Sequence, residues 1–417
     1  MGCCCSRSSE PKVLPEGQGK YSVGCADLMT STTPNDKGLF MRIFYPIDKV
    51  DMANHLSELT GWWPEPSQKY SDGAAEVLCH WCWCCMCCCK RMVRSGFSVD
   101  YKIPALWHAP VASDGALFRV LVFSTGMGGC RVFHSVFATH LASHGFIVAV
   151  PEHRAGDSCW TYTLTADGEQ EEMWGVEIAR KFPLSQARHL DTFLTKEENI
   201  APFRKVIEYR LRECQETLQL LKLISSGAGC FGAAAGIDDG QRSVVVGQEF
   251  DWKQFLGKIT TEKAALAGHS LGGATSVVGT SCTEFSYFVH FDPQMYLVEE
   301  NHYSAMEAAR PAKALFFIQD MQNMRIERGK LELMQKAAQK CGSGENSVIR
   351  ILKTNHMTFC DASHLDGCLC ALVMRGIPPA VFQQIVDGLC LALLNDDLQQ
   401  LNQLLFKHKE HFVIEHK

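Results

Sequence analysis

The stretch AALAGHSLGGAT, residues 264–275, constrains the fold more than any other part of this chain. Ala264 to Ala267 read as a buried strand, and GGATSVVGTSC after it reads as a helix. Between them lies Gly268-His269-Ser270-Leu271-Gly272, a G-x-S-x-G pentapeptide. A strand that passes into a helix through so few residues must turn sharply. Side chains at Gly268 or Gly272 would collide with their neighbours, so glycine is required at both. The strained turn lifts the Ser270 hydroxyl above the sheet, as a nucleophile elbow does.

The surrounding text repeats one theme. LFRVLVFS from Leu117 reads as an apolar strand, TGMGG as a tight turn, CRVFHSVFATHLAS as a helix and GFIVAVPEHR as the next strand. Residues 203–224 carry the periodicity of a long amphipathic helix. Further on, SYFVHFD, AKALFFI and SVIRILK are strands separated by helices. Near the N-terminus, YSVGCADLM reads as structured and GLFMRIFYP as a strand, whereas residues 50–72 read as irregular. Apolar strands alternating with helices predict an α/β fold, a mostly parallel central sheet with helices on both faces. We expect one domain over residues 21–417, preceded by a flexible polar tail over 1–20. The glycine-rich SSGAGCFGAAAG opens an expected flexible insert at 225–248. Residues 378–417 read as two helices with a polar break at Asn395.

Composition narrows the function classes. A hydrophobic fraction of 46% and a charged fraction of 21% suit a globular protein with a sizeable core. A net charge of -6 supplies no basic field, so nucleic acid is not an expected partner. The N-terminus lacks the pattern of a secretory signal, and no N-x-[ST] sequon occurs. No apolar run reaches membrane-spanning length.

The 21 cysteines are distributed unevenly. Cys3, Cys4 and Cys5 follow Gly2, and Ser6 completes an M-G-x-x-x-[ST] acylation pattern. The pattern predicts N-myristoylation at Gly2. One such chain holds a membrane only marginally, and palmitoylation at the three thiols would supply the second signal. Seven more cysteines lie between Cys79 and Cys89, within an apolar segment from Ala74 to Arg94. With Trp81 and Trp83 in its body and basic residues at its end, the segment (74–94) is expected to lie as a helix in a lipid interface. A buried core helix is the alternative. A zinc cluster ranks below both, because no second ligand pair follows at zinc-finger spacing. The expected setting is cytoplasmic, on a membrane surface.

A serine hydroxyl needs a base, and a histidine base needs a carboxylate to orient it. In hydrolases of this architecture the chain order is Ser, Asp or Glu, then His. The strand after the elbow ends at Asp292, and a later one is followed by Thr354-Asn355-His356. Both fall at carboxyl ends of strands, where α/β sheets gather ligands. The candidate triad is therefore Ser270, Asp292 and His356, with Asp320 and His364 as rivals. His269 and His290 are read as structural. The oxyanion of a tetrahedral intermediate needs backbone donors. Leu271, after the nucleophile, and Met127, in the TGMGG turn, are the candidates.

These motifs together resemble the platelet-activating factor acetylhydrolase family of lipoprotein-associated and intracellular phospholipases A2. YSVGCADLM, GLFMRIFYP, His80-Trp81, FSTGMGG, LASHGFIVAVPEHR, GHSLGGAT, FDPQM and NHMTF carry the resemblance. It implies an α/β-hydrolase fold and a calcium-independent serine phospholipase A2 that needs no metal or cofactor. The substrate it implies is a phospholipid with a short or oxidised sn-2 acyl group. It assigns nucleophile, carboxylate and base to Ser270, Asp292 and His356, oxyanion donors to Met127 and Leu271, and the membrane-facing helix to the segment around Trp81. The acylated N-terminus resembles the intracellular, myristoylated branch. The family usually has His-Gly where Thr125-Gly126 stands, Phe at Leu271, and Asp-Ala at Asp292-Pro293. Another serine lipid esterase or thioesterase, and a catalytically weak membrane adaptor with the same fold, remain the alternatives.

Overall fold

The structure, a computed structural model, describes residues 11–81, 100–175, 197–228, 242–309, 313–320, 325–341, 346–365 and 376–416. The strands among them are β1 (Lys12–Val13), β2 (Ser22–Thr30), β3 (Phe40–Ile47), β4 (Leu59–Gly61), β5 (Tyr101–Trp107), β6 (Phe118–Ser124), β7 (Phe146–Pro151), β8 (Trp160–Leu164), β9 (Gln170–Trp174), β10 (Val244–Val246), β11 (Ile259–His269), β12 (Tyr287–Phe291), β13 (Lys313–Ile318), β14 (Ser347–Ile351) and β15 (Phe412–His416). The described helices are α1 (Ser67–Trp81), α2 (Ser135–Ser143), α3 (Glu197–Ser226), α4 (Leu271–Val278), α5 (Glu300–Ala308), α6 (Arg325–Lys340), α7 (Pro379–Leu394) and α8 (Leu398–Lys407).

The main sheet runs β1-β5-β2-β3-β7-β6-β11-β12-β13-β14-β15. Its centre, β7-β6-β11-β12-β13-β14, is parallel throughout. Antiparallel β3 and β15 flank that centre. Each central strand is apolar on both sides because helices cover both faces. Along β6, Val120 and Val122 join one core while Leu121 and Phe123 join the other. The first core takes side chains from α3, α4 and α6, and the second from α2 and α7. This is the two-faced, mostly parallel sheet expected from the strand–helix alternation, in the α/β-hydrolase arrangement that the resemblance implies.

Several expected boundaries need correction. Residues 11–20, expected as tail, are packed: the Leu14 N–H donates to the Lys102 carbonyl at 2.9 Å, and Leu14 is buried. A Cβ on Gly19 would lie 2.0 Å from the Ser143 carbonyl oxygen, so the chain there presses on the end of α2. Residues 50–72 contain β4 and the start of α1 rather than irregular chain alone. Within the 225–248 insert, expected to be flexible, Val244–Val246 pairs antiparallel with β2, and residues 229–241 lie outside the described residues. The chain end is two helices plus a strand, because β15 closes the edge left open by β14. The helix expected over CRVFHSVFATHLAS starts only at Ser135. Before it, the buried Arg131 side chain reaches Asp27 at 2.9 Å and Glu152 at 2.6 Å, which fixes that stretch as a turn.

Gly2, Cys3, Cys4, Cys5 and Trp83 lie outside the described residues. Trp81 ends α1, so the expected interfacial segment begins as a helix. Its continuation over residues 82–94 lies outside the described residues.

Candidate active site

At the centre of the sheet β6 is followed by β7 on one side, while β11 is followed by β12 on the other. The crevice at such a reversal is where α/β folds bind ligands. Here Gly268 pairs with Ser124, so the GHSLG turn and the TGMGG turn leave the sheet side by side. Their packing leaves no room for side chains. A Cβ on Gly268 would lie 2.2 Å from the Gly272 carbonyl oxygen, and one on Gly272 would lie 2.0 Å from that of Ser124.

Ser270 sits between them with φ 59° and ψ −116°, a strained conformation for a residue with a side chain. Its backbone is bonded on both sides. The Ser270 N–H donates to the Phe291 carbonyl at 3.0 Å, and its carbonyl accepts the Ala274 and Gln294 N–H groups, each at 3.0 Å. Such strain persists only where the surroundings over-determine it. Leu271 opens α4, so its N–H is among the first-turn donors without an intrahelical partner.

Asp292 follows β12 with φ 42° and is fully buried. His356 opens the turn after β14. Its Nδ1–H donates to Asp292 Oδ2 at 2.5 Å. This bond turns the other ring nitrogen into an acceptor. His356 and Ser270 line one cavity of about 70 Å³ together with Trp62, Val77, Met127 and Phe133. The other Asp292 oxygen accepts from Lys330 Nζ at 2.5 Å. Burial alone would raise the Asp292 pKa, but the Lys330 ammonium and the His356 bond outweigh it and hold the carboxyl below its ordinary 3.8.

The rivals occupy other places. His364 lines a separate, smaller cavity with Phe359 and Phe382. Asp320 accepts from the Lys353 N–H at 2.8 Å and from Arg350 at 3.3 Å, which makes it a cap for the β14 end. His290 is fully buried and bonded to Ser276 at 2.7 Å. His269 is more than filler. Its Nε2–H donates to the His356 carbonyl at 3.0 Å, and the two ring centroids lie 4.5 Å apart with their planes tilted by 35°. Burial, then repulsion from His356 and His134, keeps its pKa well below the ordinary histidine value, so it is neutral.

Met127 lies in the turn beside the serine, where a Cβ on Gly126 would come within 3.3 Å of Ser270 Cβ. Thr125 is fully buried, and its hydroxyl has no partner among the described residues. Sequence reasoning missed Lys330 and Asp361. Asp361 accepts from Trp62 Nε1 and the Ser135 N–H, each at 2.9 Å, and so moors the loop that carries His356. A carboxylate five residues after the candidate base was a readable signal. A lysine 38 residues from Asp292 offered none.

The fold and this geometry together define an α/β-class hydrolase. A ferulic acid esterase from Streptomyces cinnamoneus shares the architecture, with a TM-score of 0.56, 93% of each chain covered and 13% identity. The model of the family described as platelet-activating factor acetylhydrolase, isoform II, matches residues 6–408. The platelet-activating factor acetylhydrolase of Canis lupus familiaris is 30% identical over 358 residues, covering 85% of this chain and 69% of that protein. The one from Bos taurus is 32% identical over 307 residues, covering 73% and 59%. A putative phospholipase A2 from Schizosaccharomyces pombe is 25% identical over 290 residues, covering 64% and 59%. The chain belongs to the platelet-activating factor acetylhydrolase family and is a hydrolase of that family.

Proposed function

We propose that this chain is a calcium-independent serine phospholipase A2 that removes a short or oxidatively truncated sn-2 acyl group from phospholipids, as in 1-alkyl-2-acetylglycerophosphocholine. The observation that carries the reading is the Asp292–His356 pair at 2.5 Å, with His356 lining the same cavity as the strained Ser270. In this reading His356 takes the Ser270 proton as the hydroxyl oxygen attacks the ester carbonyl. The Met127 and Leu271 N–H groups hold the oxyanion. Collapse expels the lysophospholipid, with His356 returning the proton to its oxygen. Water then enters, gives its proton to His356 and splits the acyl-enzyme to a carboxylic acid, while His356 returns that proton to the Ser270 oxygen. Atoms and protons balance without a cofactor.

Two features support the substrate class. Trp62, Val77, Met127 and Phe133 give the cavity apolar walls, which suit an acyl group. The relatives from Canis lupus familiaris and Bos taurus are named acetylhydrolases, which favours a short acyl group over a long one. The protein would meet its lipid at a cytoplasmic membrane surface through acylation of Gly2 and of Cys3, Cys4 and Cys5, and through the segment bearing Trp81 and Trp83.

The test is turnover of acetyl, oxidised-acyl and long-chain phosphatidylcholines, and of an acyl thioester, by wild type and by Ser270→Ala. Acetyl and oxidised-acyl hydrolysis that vanishes in Ser270→Ala supports the reading. Activity surviving in Ser270→Ala, or confined to the thioester, ends it.

A further inference from the structure

The turn that carries Met127 is gripped from below by one side chain. Arg210, on α3, is fully buried. Its guanidinium donates to the carbonyl oxygen of Thr125 and, at 3.4 Å, to that of Gly126. Arg210 Nε also donates to Asp157 Oδ2 at 2.5 Å. Asp157 is tied to the same turn through its main chain, since its carbonyl accepts the Gly128 N–H at 2.7 Å. The Gly129 N–H donates to the Gly126 carbonyl at 3.1 Å, which closes the turn. Guanidinium, carboxylate and backbone thus form one clamp around residues 125–129.

Peptide planarity turns this clamp into a statement about the site. In a trans peptide the C=O and the N–H point in opposite directions. Bonds that draw the Gly126 carbonyl toward α3 therefore turn the Met127 N–H away from α3. No described residue of α3 lines the cavity shared by Met127 and Ser270, so an N–H turned away from α3 is inferred to face that cavity. Were the Gly126–Met127 peptide to rotate, a carbonyl oxygen would face the cavity and repel a developing oxyanion. Arg210 opposes that rotation at two successive carbonyls, because its planar fork presents several donors in fixed directions.

We propose that Arg210, held by Asp157, is a positioning residue that keeps the oxyanion-binding peptide of Met127 in its productive orientation. The proposal rests on the serine-esterase reading above. Arg210 touches no substrate, and its action passes through the Thr125 and Gly126 carbonyls. Lysine in its place keeps the charge beside Asp157 but loses the fork.

The experiment compares 4-nitrophenyl acetate with its thionoacetate analogue, using full-length wild type, Arg210→Lys and Asp157→Asn. An oxyanion hole stabilises developing O⁻ far better than the larger, weaker acceptor S⁻. The ratio of the two kcat/KM values reports the hole alone, and any loss of folded enzyme cancels from it. Removing one oxyanion donor lowers kcat by about 100- to 1000-fold, so a donor left in place but misoriented is expected to lower the oxo/thiono ratio by about 10-fold or more. KM for the acetate should stay within about twofold. A ratio equal to wild type in both variants overturns the proposal. Failure of both to fold also overturns it, because the clamp would then serve folding. Ser270→Ala, assayed in parallel, separates the two levels. If it retains esterase activity the serine reading fails. If it is dead while the ratio is unchanged, only the role of Arg210 fails.

Discussion

Asp292 shows what a single side chain in this site must withstand. It is a buried carboxylate, and desolvation alone would favour its neutral form. Lys330 and His356, one on each oxygen, keep it ionised. Because its folded pKa lies below the ordinary 3.8, the stability it contributes is present above that pH and is lost as pH falls below it. Lys330→Met removes one partner and leaves the carboxylate short of charge compensation. We expect a loss of about 3–5 kcal/mol at pH 7, the usual cost of breaking a buried pair on one side. The gap to wild type should narrow as pH falls toward about 3, since without the ammonium the variant's Asp292 takes up a proton first and sheds its uncompensated charge, while the wild-type carboxylate is still ionised. Urea unfolding from pH 7 to pH 3 measures this. A gap that stays constant with pH would mean that Lys330 supplies packing rather than charge. Among the residues around the site, Ser270, Asp292 and His356 were readable because chain order and strand ends point to them. Lys330 and Arg210 were not, because nothing local distinguishes a lysine or arginine on an amphipathic helix that turns inward.

At the scale of elements, the elbow depends on how closely β11, α4 and the β6 turn approach. A Cβ on Gly272 would meet the Ser124 carbonyl at 2.0 Å and that of Thr125 at 2.5 Å, both backbone atoms that cannot rotate away. Gly272→Ala should therefore push α4 from the sheet, lower the melting temperature by several degrees and abolish labelling of Ser270 by a fluorophosphonate. Gly61→Ala, whose Cβ would lie 3.4 Å from its nearest non-adjacent neighbour, the Trp63 carbonyl oxygen, is the control and should behave as wild type. Full labelling of Gly272→Ala would contradict the packing described here. The alternation of apolar strands and helices made the central parallel sheet legible. The edges were less so. β1, β10 and β15 are short or half-exposed, and what makes them strands is the neighbour they pair with rather than a pattern of their own.

At the scale of the whole molecule, the proposed membrane attachment rests on the first residues of the chain and the segment after α1. If Gly2 carries a myristoyl group, Gly2→Ala should move most of the protein from the membrane pellet to the supernatant on fractionation, with esterase activity on a soluble acetate ester unchanged. An unaltered distribution would assign the attachment to the Trp81–Trp83 segment instead. The same scale shows how distant parts of the chain are joined across one side of the sheet. Asp27 on β2 pairs with Arg42 on β3 at 2.7 Å and with Arg131, before α2, at 2.9 Å, and Arg131 continues to Glu152 after β7. These buried pairs, up to 104 residues apart in the chain, knit the antiparallel flank to the parallel centre.

By itself the sequence determined the alternation that builds a two-faced sheet, the glycines that a sharp strand-to-helix turn requires, and the order in which a serine, an aspartate and a histidine reach its carboxyl edge. All three are written in periodicity or in steric need, and both act between near neighbours. Only the tertiary structure decided which buried charges meet, where Lys330 and Arg210 point, and which short segments become edge strands. Those outcomes depend on desolvation and on contacts between residues distant in the chain, and neither leaves a local mark on the sequence.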